Sequence, residues 1–175
     1  MIRIAINGFG RIGRNLFRLL LDHPTIEVVA INDIADTKTM AHLLKYDSIH
    51  GVLPFEVSYD EKGIIVDGKH FLFFHQKSIS NLDWKSTGID IVVESTGKHK
   101  TFEEINAHIL GGAKKVILSA PSEVEEIKTV VLGVNEHILD GTETIISNAS
   151  CTTNNAAPMM KVINKLCGIE QAYIT

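Results

Sequence analysis

Two short runs hold residue types whose spacing could do chemistry. Asn7-Gly8-Phe9-Gly10-Arg11-Ile12-Gly13-Arg14 follows a β-branched run and opens an amphipathic one, so its glycines fall at a strand-to-helix turn. There Gly8 permits a tight turn, Gly10 lets backbone approach a pyrophosphate, and Gly13 lets helix and strand pack closely. The amides of Arg11 and Ile12 then sit at a helix N-terminus, where unpaired N–H groups and the dipole favour an anion. Asp33 ends the next strand, roughly 20 residues beyond the glycines, where a carboxylate meets adenosine ribose hydroxyls. That carboxylate would repel a 2′-phosphate, so the pattern predicts NAD as cofactor. As turn formers and a solvated strand end the same residues would carry no function; strand, helix and acid together weigh against that.

The second run, Ser147-Asn148-Ala149-Ser150-Cys151-Thr152-Thr153-Asn154, joins a short strand to a helix and puts a thiol in the first helical turn among hydroxyls. That position favours a thiolate. It could attack an aldehyde, pass a hydride to a nicotinamide and be left as a thioester, with Ser150 and Thr152 hydrogen-bonding a phosphate. On the residues alone, Cys151 reads equally well as a nucleophile or as an inert thiol. Cys167 is expected to be inert and buried, because it falls on an apolar helical repeat with Val162, Ile163 and Leu166.

The elements that must position these groups alternate in type. Apolar runs at residues 2–6 and 27–31 interleave with amphipathic runs at 12–21 and 39–46, a βαβα pattern. Near-continuous hydrophobicity at 26–31 and 89–93 predicts parallel strands covered on both faces, and hence a doubly wound sheet. Residues 55–59, 64–66 and 71–75 read as an antiparallel insertion turned at Asp60-Glu61-Lys62-Gly63 and Asp67-Gly68. The parallel pattern resumes with a strand at 89–94, a helix at 102–110 stopped by Gly111-Gly112, and strands at 115–119, 130–134 and 144–147. Residues 150–166 read as a helix closed by Gly168, with Pro158 inside it. Residues 169–175 read as a strand with nothing after it to pair with, so the chain is expected to be truncated.

Composition bounds the class. A chain of 175 residues with 45% hydrophobic side chains can bury one globular core. A formal charge of -4 gives no electrostatic footprint for nucleic acid, and no apolar run approaches the ~18–20 residues that span a bilayer. Two widely spaced cysteines without CxxC geometry give no disulfide framework. The expectation is a soluble, cytoplasmic protein acting on small molecules, with no nucleic-acid, membrane or metal partner.

The sequence resembles the phosphorylating, glycolytic glyceraldehyde-3-phosphate dehydrogenase family along its whole length. The resemblance is carried in order by residues 7–14, Ala30-Ile31-Asn32-Asp33, Lys45-Tyr46-Asp47-Ser48 with His50-Gly51, and Val93-Glu94-Ser95-Thr96-Gly97. It continues through Gly112-Ala113-Lys114-Lys115-Val116, Ser119-Ala120-Pro121-Ser122, Gly133-Val134-Asn135 and residues 147–154. It implies a mostly parallel Rossmann sheet over residues 1–149 and the start of a catalytic domain at 150–175, namely a nucleophile helix and a first strand. It implies that Arg11 and Ile12, in the Gly8, Gly10 and Gly13 turn, bind pyrophosphate. Asp33 would take the adenosine ribose and Lys77 the adenine side; Thr96 and Gly97 line the groove, and Ser119 takes the nicotinamide side. Cys151 would be the nucleophile, with Ser150 and Thr152 holding glyceraldehyde 3-phosphate or inorganic phosphate, in a whole protein that is a homotetramer.

Three departures from the family pattern stand out. Asn155-Ala156-Ala157 replaces a second cysteine and a larger apolar residue, and His99 stands where an aromatic ring is usual. The family's base histidine would follow Thr175, so the chain by itself is expected to lack turnover. The alternatives are erythrose-4-phosphate dehydrogenase, against which Ser119-Ala120-Pro121-Ser122 speaks, and a short NAD-binding or redox-sensing module. A purely structural oligomerisation domain leaves the glycine turn, Asp33 and Cys151 unexplained.

Overall fold

A computed structural model describes residues 1–99 and 101–173. The chain runs through β1 (Ile2–Asn7), α1 (Arg11–Leu20), β2 (Ile26–Asn32) and α2 (Thr37–Lys45), then a separate ribbon of β3 (Tyr46–Asp47) and β4 (Gly51–Val52). Two antiparallel hairpins follow, built from β5 (Val57–Tyr59), β6 (Gly63–Val66) and β7 (Lys69–Phe74). Next come α3 (Trp84–Thr87), β8 (Ile91–Glu94), α4 (Phe102–Leu110), β9 (Lys115–Leu118), β10 (Lys128–Thr129), β11 (Ile145–Ser147) and α5 (Cys151–Cys167).

Nine strands form one sheet in the order β10-β11-β9-β8-β1-β2-β7-β6-β5, parallel from β10 to β7. Both faces are covered, as the near-continuous apolar strands require. Ile4, Ile6, Val28 and Ile31 of the strands cluster with Phe17 of α1 and Leu44 of α2, while Ala5, Ala30, Val92, Val116 and Leu118 cluster with Trp84 of α3 and Ile105 of α4. Ile4 pairs with Val28 but Ala5 pairs with Ala30, so β2 carries one extra residue, Val29. This bulge lets Val28 and Ala30 face opposite sides of the sheet although they are two apart. The predicted turn at Asp67-Gly68 has φ of 47° and 76°, the two left-handed residues that a type I′ hairpin needs.

Two predicted strands are corrected. The one placed at 130–134 lies instead at Lys128–Thr129, with turns through 132–135. Asn135 ends it: its Oδ1 accepts from Val131 N at 2.7 Å and its Nδ2 donates to Thr129 O at 3.0 Å, taking up ladder positions. The one placed at 169–175 is not a strand over its described part, 169–173; residues 174 and 175 lie outside the described residues. Gly168 N and Ile169 N instead close the helix on Asn164 O and Oδ1, and residues 169–173 make no ladder pairing. Cys167 is also corrected, because it is exposed. No residue of α5 is buried, so the apolar repeat around Cys167 faces no other described element.

Candidate functional site

The chain leaves β1 to one side for β2 and β7, and to the other for β8, β9 and β11. The strand order therefore reverses between β1 and β8, and a crevice opens at the carboxyl ends of those strands, where open α/β sheets bind ligands. A cavity of about 400 Å³ lies there, lined by Asn7, Gly8, Gly10, Asn32, Asp33, Lys77, Thr96, Lys98 and His99 among others.

Each glycine of the turn has a separate cause. Gly8 has φ +95°, and a Cβ on it would stand 2.6 Å from Thr96 N, so the β1 turn presses directly on the loop after β8. A Cβ on Gly13 would collide with Gly8 O, so α1 can lie against β1 only without one. A Cβ on Gly10 would meet nothing within 4 Å, so its bareness leaves open space beside the cavity rather than serving packing. The residue between Gly8 and Gly10 anchors the loop. Phe9 is fully buried in edge-to-face contact with Phe17 and Phe73, and its N–H donates to Asp33 Oδ2 at 2.7 Å. Ala35 N donates to the other oxygen of Asp33 at 3.0 Å, so the carboxylate is fixed on the rim with lone pairs to spare.

Helix α1 begins at this crevice with Gly10 as N-cap, no side-chain cap and no acidic residue in its first turn. By contrast, Asp36, Thr101 and Ser150 cap α2, α4 and α5 with side-chain oxygens. The amides of Arg11 and Ile12 are thus left for an outside acceptor beside an open groove, which fits a dinucleotide pyrophosphate. Of the residues expected to bind cofactor, Gly8, Gly10, Asp33, Lys77 and Thr96 line the cavity together. Arg11 and Ile12 stand exposed at its edge on α1, Gly13 acts from behind as a packing residue, and Gly97 (φ +68°) turns the loop beyond Thr96. Ser119 lies at the end of β9, its N–H donating to Glu94 O at 2.9 Å.

The second run sits on the same edge of the sheet. Asn148 N donates to Leu118 O at 2.9 Å, and buried Ser147 holds Ala120 O and Ala149 N through its hydroxyl. Ala149 then takes φ +58°, unusual for a residue with a Cβ, and swings the chain into α5. Ser150 Oγ accepts from Thr153 N at 3.0 Å, and Asn154 Nδ2 donates back to Asn148 O at 2.6 Å. Cys151 is the first residue of that helix and is exposed, as is Thr152.

Sequence reasoning missed what lies beneath the cavity. Glu94, His108, Asn7 and Asn32 are all buried and bonded in series. Glu94 Oε2 accepts from Asn7 Nδ2 and lies 3.0 Å from His108 Nε2, while Glu94 Oε1 accepts from Thr96 N at 2.8 Å and from Thr96 Oγ1. Trp84 Nε1 donates to His108 Nδ1 at 2.9 Å. Asn32 Nδ2 donates to Asn7 Oδ1 at 2.7 Å, and its amide pairs with the backbone of Gln76. Burial pushes the Glu94 carboxyl up, but the hydrogen bonds from His108, Thr96 and Asn7 outweigh it and hold it below the usual range. A charged residue ending an otherwise apolar strand, with a histidine on the apolar face of the following helix, was the available signal.

Residues 2–102 match the family described as glyceraldehyde 3-phosphate dehydrogenase, NAD binding domain. The chain is 52% identical over 177 residues to glyceraldehyde-3-phosphate dehydrogenase of Thermotoga maritima, covering 100% of this chain and 53% of that protein. It is 50% identical over 175 residues to the enzyme of Geobacillus stearothermophilus, covering 99% of this chain and 52% of that one. The chain thus spans about half the length of the curated relatives it matches.

Proposed function

The chain belongs to the glyceraldehyde-3-phosphate dehydrogenase family, and from that premise we propose that it holds NAD and presents the thiol for oxidation of glyceraldehyde 3-phosphate to an acyl phosphate. The single observation that carries the reading is the uncapped N-terminus of α1 opening beside the anchored Asp33 carboxylate at the sheet's switch point. Gly8, Gly10 and Gly13 shape the approach, and Arg11 and Ile12 donate their amides to pyrophosphate. Asp33 accepts from the adenosine ribose, Lys77 flanks adenine, Thr96 and Gly97 form the groove wall, and Ser119 stands toward the nicotinamide.

NAD, when bound, supplies the hydride acceptor. The chain's own part is nucleophilic. Cys151 as thiolate adds to the aldehyde carbon to give a hemithioacetal; its hydroxyl gives up a proton to water and its carbon gives up a hydride to the acceptor that NAD would supply, which leaves a thioester. Inorganic phosphate, positioned by Ser150 and Thr152, attacks the thioester carbon and releases the thiolate. Residues 1–149 form the dinucleotide unit in this reading and 150–175 begin the substrate-binding part. The whole protein acts as a homotetramer, as the resemblance implies.

Calorimetric titration with NAD and with NADP, on the wild type and on Asp33→Ala, tests the cofactor reading. NAD should bind more tightly than NADP, and the variant should lose about 1–3 kcal/mol for NAD, the scale of hydrogen bonds to a charged group. Equal affinity for both nucleotides in the wild type would sink it.

A further inference from the structure

Asn7-Gly8 is the one Asn-Gly pair in the chain. In such a pair the backbone amide readily attacks the preceding carboxamide, because glycine puts no Cβ in the way. Gly8 N gives up its hydrogen to water and bonds to Asn7 Cγ, the Nδ2 group takes a proton and leaves as ammonia, and a succinimide ring remains. Water then opens the ring at either carbonyl, to aspartate or to isoaspartate, the latter with one more carbon in the main chain.

The fold holds each of the reacting groups elsewhere. Gly8 N donates to Asn32 O at 2.8 Å. Asn7 Oδ1 accepts from Asn32 Nδ2 at 2.7 Å, and Asn7 Nδ2 donates to Glu94 Oε2. The Asn32 side chain is itself gripped by the backbone of Gln76, which donates to its Oδ1 at 2.8 Å and accepts from its Nδ2 at 2.9 Å. Asn7 is only 1% exposed. Its Cγ reaches Gly8 N only after the bonds to Asn32 and to Glu94 break, and Asn7, Gly8 and Asn32 all line the cavity.

We propose that Asn7 is a deamidation site gated by the cleft: the succinimide forms only in chains whose cleft has opened, and the products cannot rebuild it. Opening and chemistry act in series, so the folded chain is protected by the rarity of its open form. Modification of that form then drains the closed population irreversibly. The succinimide nitrogen has no hydrogen left for Asn32 O. Aspartate sets a second carboxylate against that of Glu94, where the fold has an N–H donor. Isoaspartate lengthens the chain beside Gly8, where even a Cβ would stand 2.6 Å from Thr96 N. A nucleotide in the cavity binds the closed form alone and lowers the open population by one plus the ratio of free ligand to Kd. This last step rests on the dinucleotide reading above.

The test incubates the wild type in mildly alkaline buffer alone, with NAD, and with denaturing urea, and follows the tryptic fragment Ile4–Arg11 by the mass gained when OH replaces NH2. Deamidation of the folded chain should be at least about tenfold slower than in urea. It should also be slowed at least as much as hydrogen exchange at the Gly8 amide, which frees the same N–H. Equal rates with and without urea, or weaker protection at Asn7 than at Gly8, would overturn the gate. NAD at about nine times the Kd found by calorimetry should slow the reaction about a further tenfold; NAD that binds without slowing it overturns the gate as well. If calorimetry shows no NAD binding, the dinucleotide reading fails instead, and the urea and exchange comparisons still decide the gate. Asn7→Asp stands for one product: it should melt below the wild type and bind NAD at least about tenfold more weakly. Melting and affinity equal to wild type would show that the product rebuilds the cleft and overturn that half of the proposal.

Discussion

Gly8 shows how one missing carbon holds a site together. Its φ of +95° is outside the range that side chains tolerate, and its Cβ would displace the Thr96 backbone. Gly8→Ala is expected to lose about 2–4 kcal/mol, combining left-handed strain with overpacking, and to abolish NAD binding; a melting temperature within a degree of wild type would contradict this. The placement of the glycines at a strand-to-helix turn and of Asp33 at the next strand's end was legible in sequence because it follows from local spacing. Phe9, Glu94 and His108 were not, because a side chain's partner across 24 or 87 residues leaves no local trace. A pattern of hydrophobicity says that Glu94 is out of place; it does not say which donors excuse it.

Among the elements, α4 and α5 start with the same chemistry and should respond differently. Thr101 and Glu104 form a capping box on α4, which buries Ile105 and His108, so Thr101→Ala should lower global stability by about 1 kcal/mol in chemical denaturation. Ser150 caps α5, which buries nothing, so Ser150→Ala should leave the global transition unmoved and instead speed amide hydrogen exchange at residues 151–154. A global loss from Ser150→Ala equal to that of Thr101→Ala would mean that α5 is coupled to the core. Because Cys167 is exposed alongside Cys151, intact mass after iodoacetamide should show two additions without denaturant; a single addition would contradict the exposed C-terminal turn. The α5 periodicity was read correctly as a helix and wrongly as a buried one, since a periodic apolar stripe reports a face able to pack and not whether a partner is there.

For the whole molecule, the doubly wound order was legible because parallel strands leave a simple mark: short apolar runs separated by helices. Acid should destabilise it in a defined direction. Glu143 is drawn from the ordinary 4.5 to about 2, chiefly by Lys128, and Asp90 and Glu27 are also lowered, by Arg3 N and by Lys69 respectively as the leading partners. Carboxyls depressed in the folded state stabilise it fully above their unfolded values and lose that contribution as pH falls through the folded ones. The melting temperature should therefore be flat near neutrality and decline from about pH 4.5 toward pH 2; a rise over that interval would contradict the ion pairs.

The contact between Asn7 and Ser95 also has a temporal meaning. Ser95 N donates to Asn7 O at 2.7 Å, and their side-chain bond spans 88 positions of chain. Closing so long a loop for a parallel pairing is slow, and its entropy is lost before any contact rewards it. On a ribosome, the glycine turn emerges long before the wall it must press against has been synthesised. The crevice is therefore a late product of folding, and a nucleotide can reward the finished sheet but cannot template its first half.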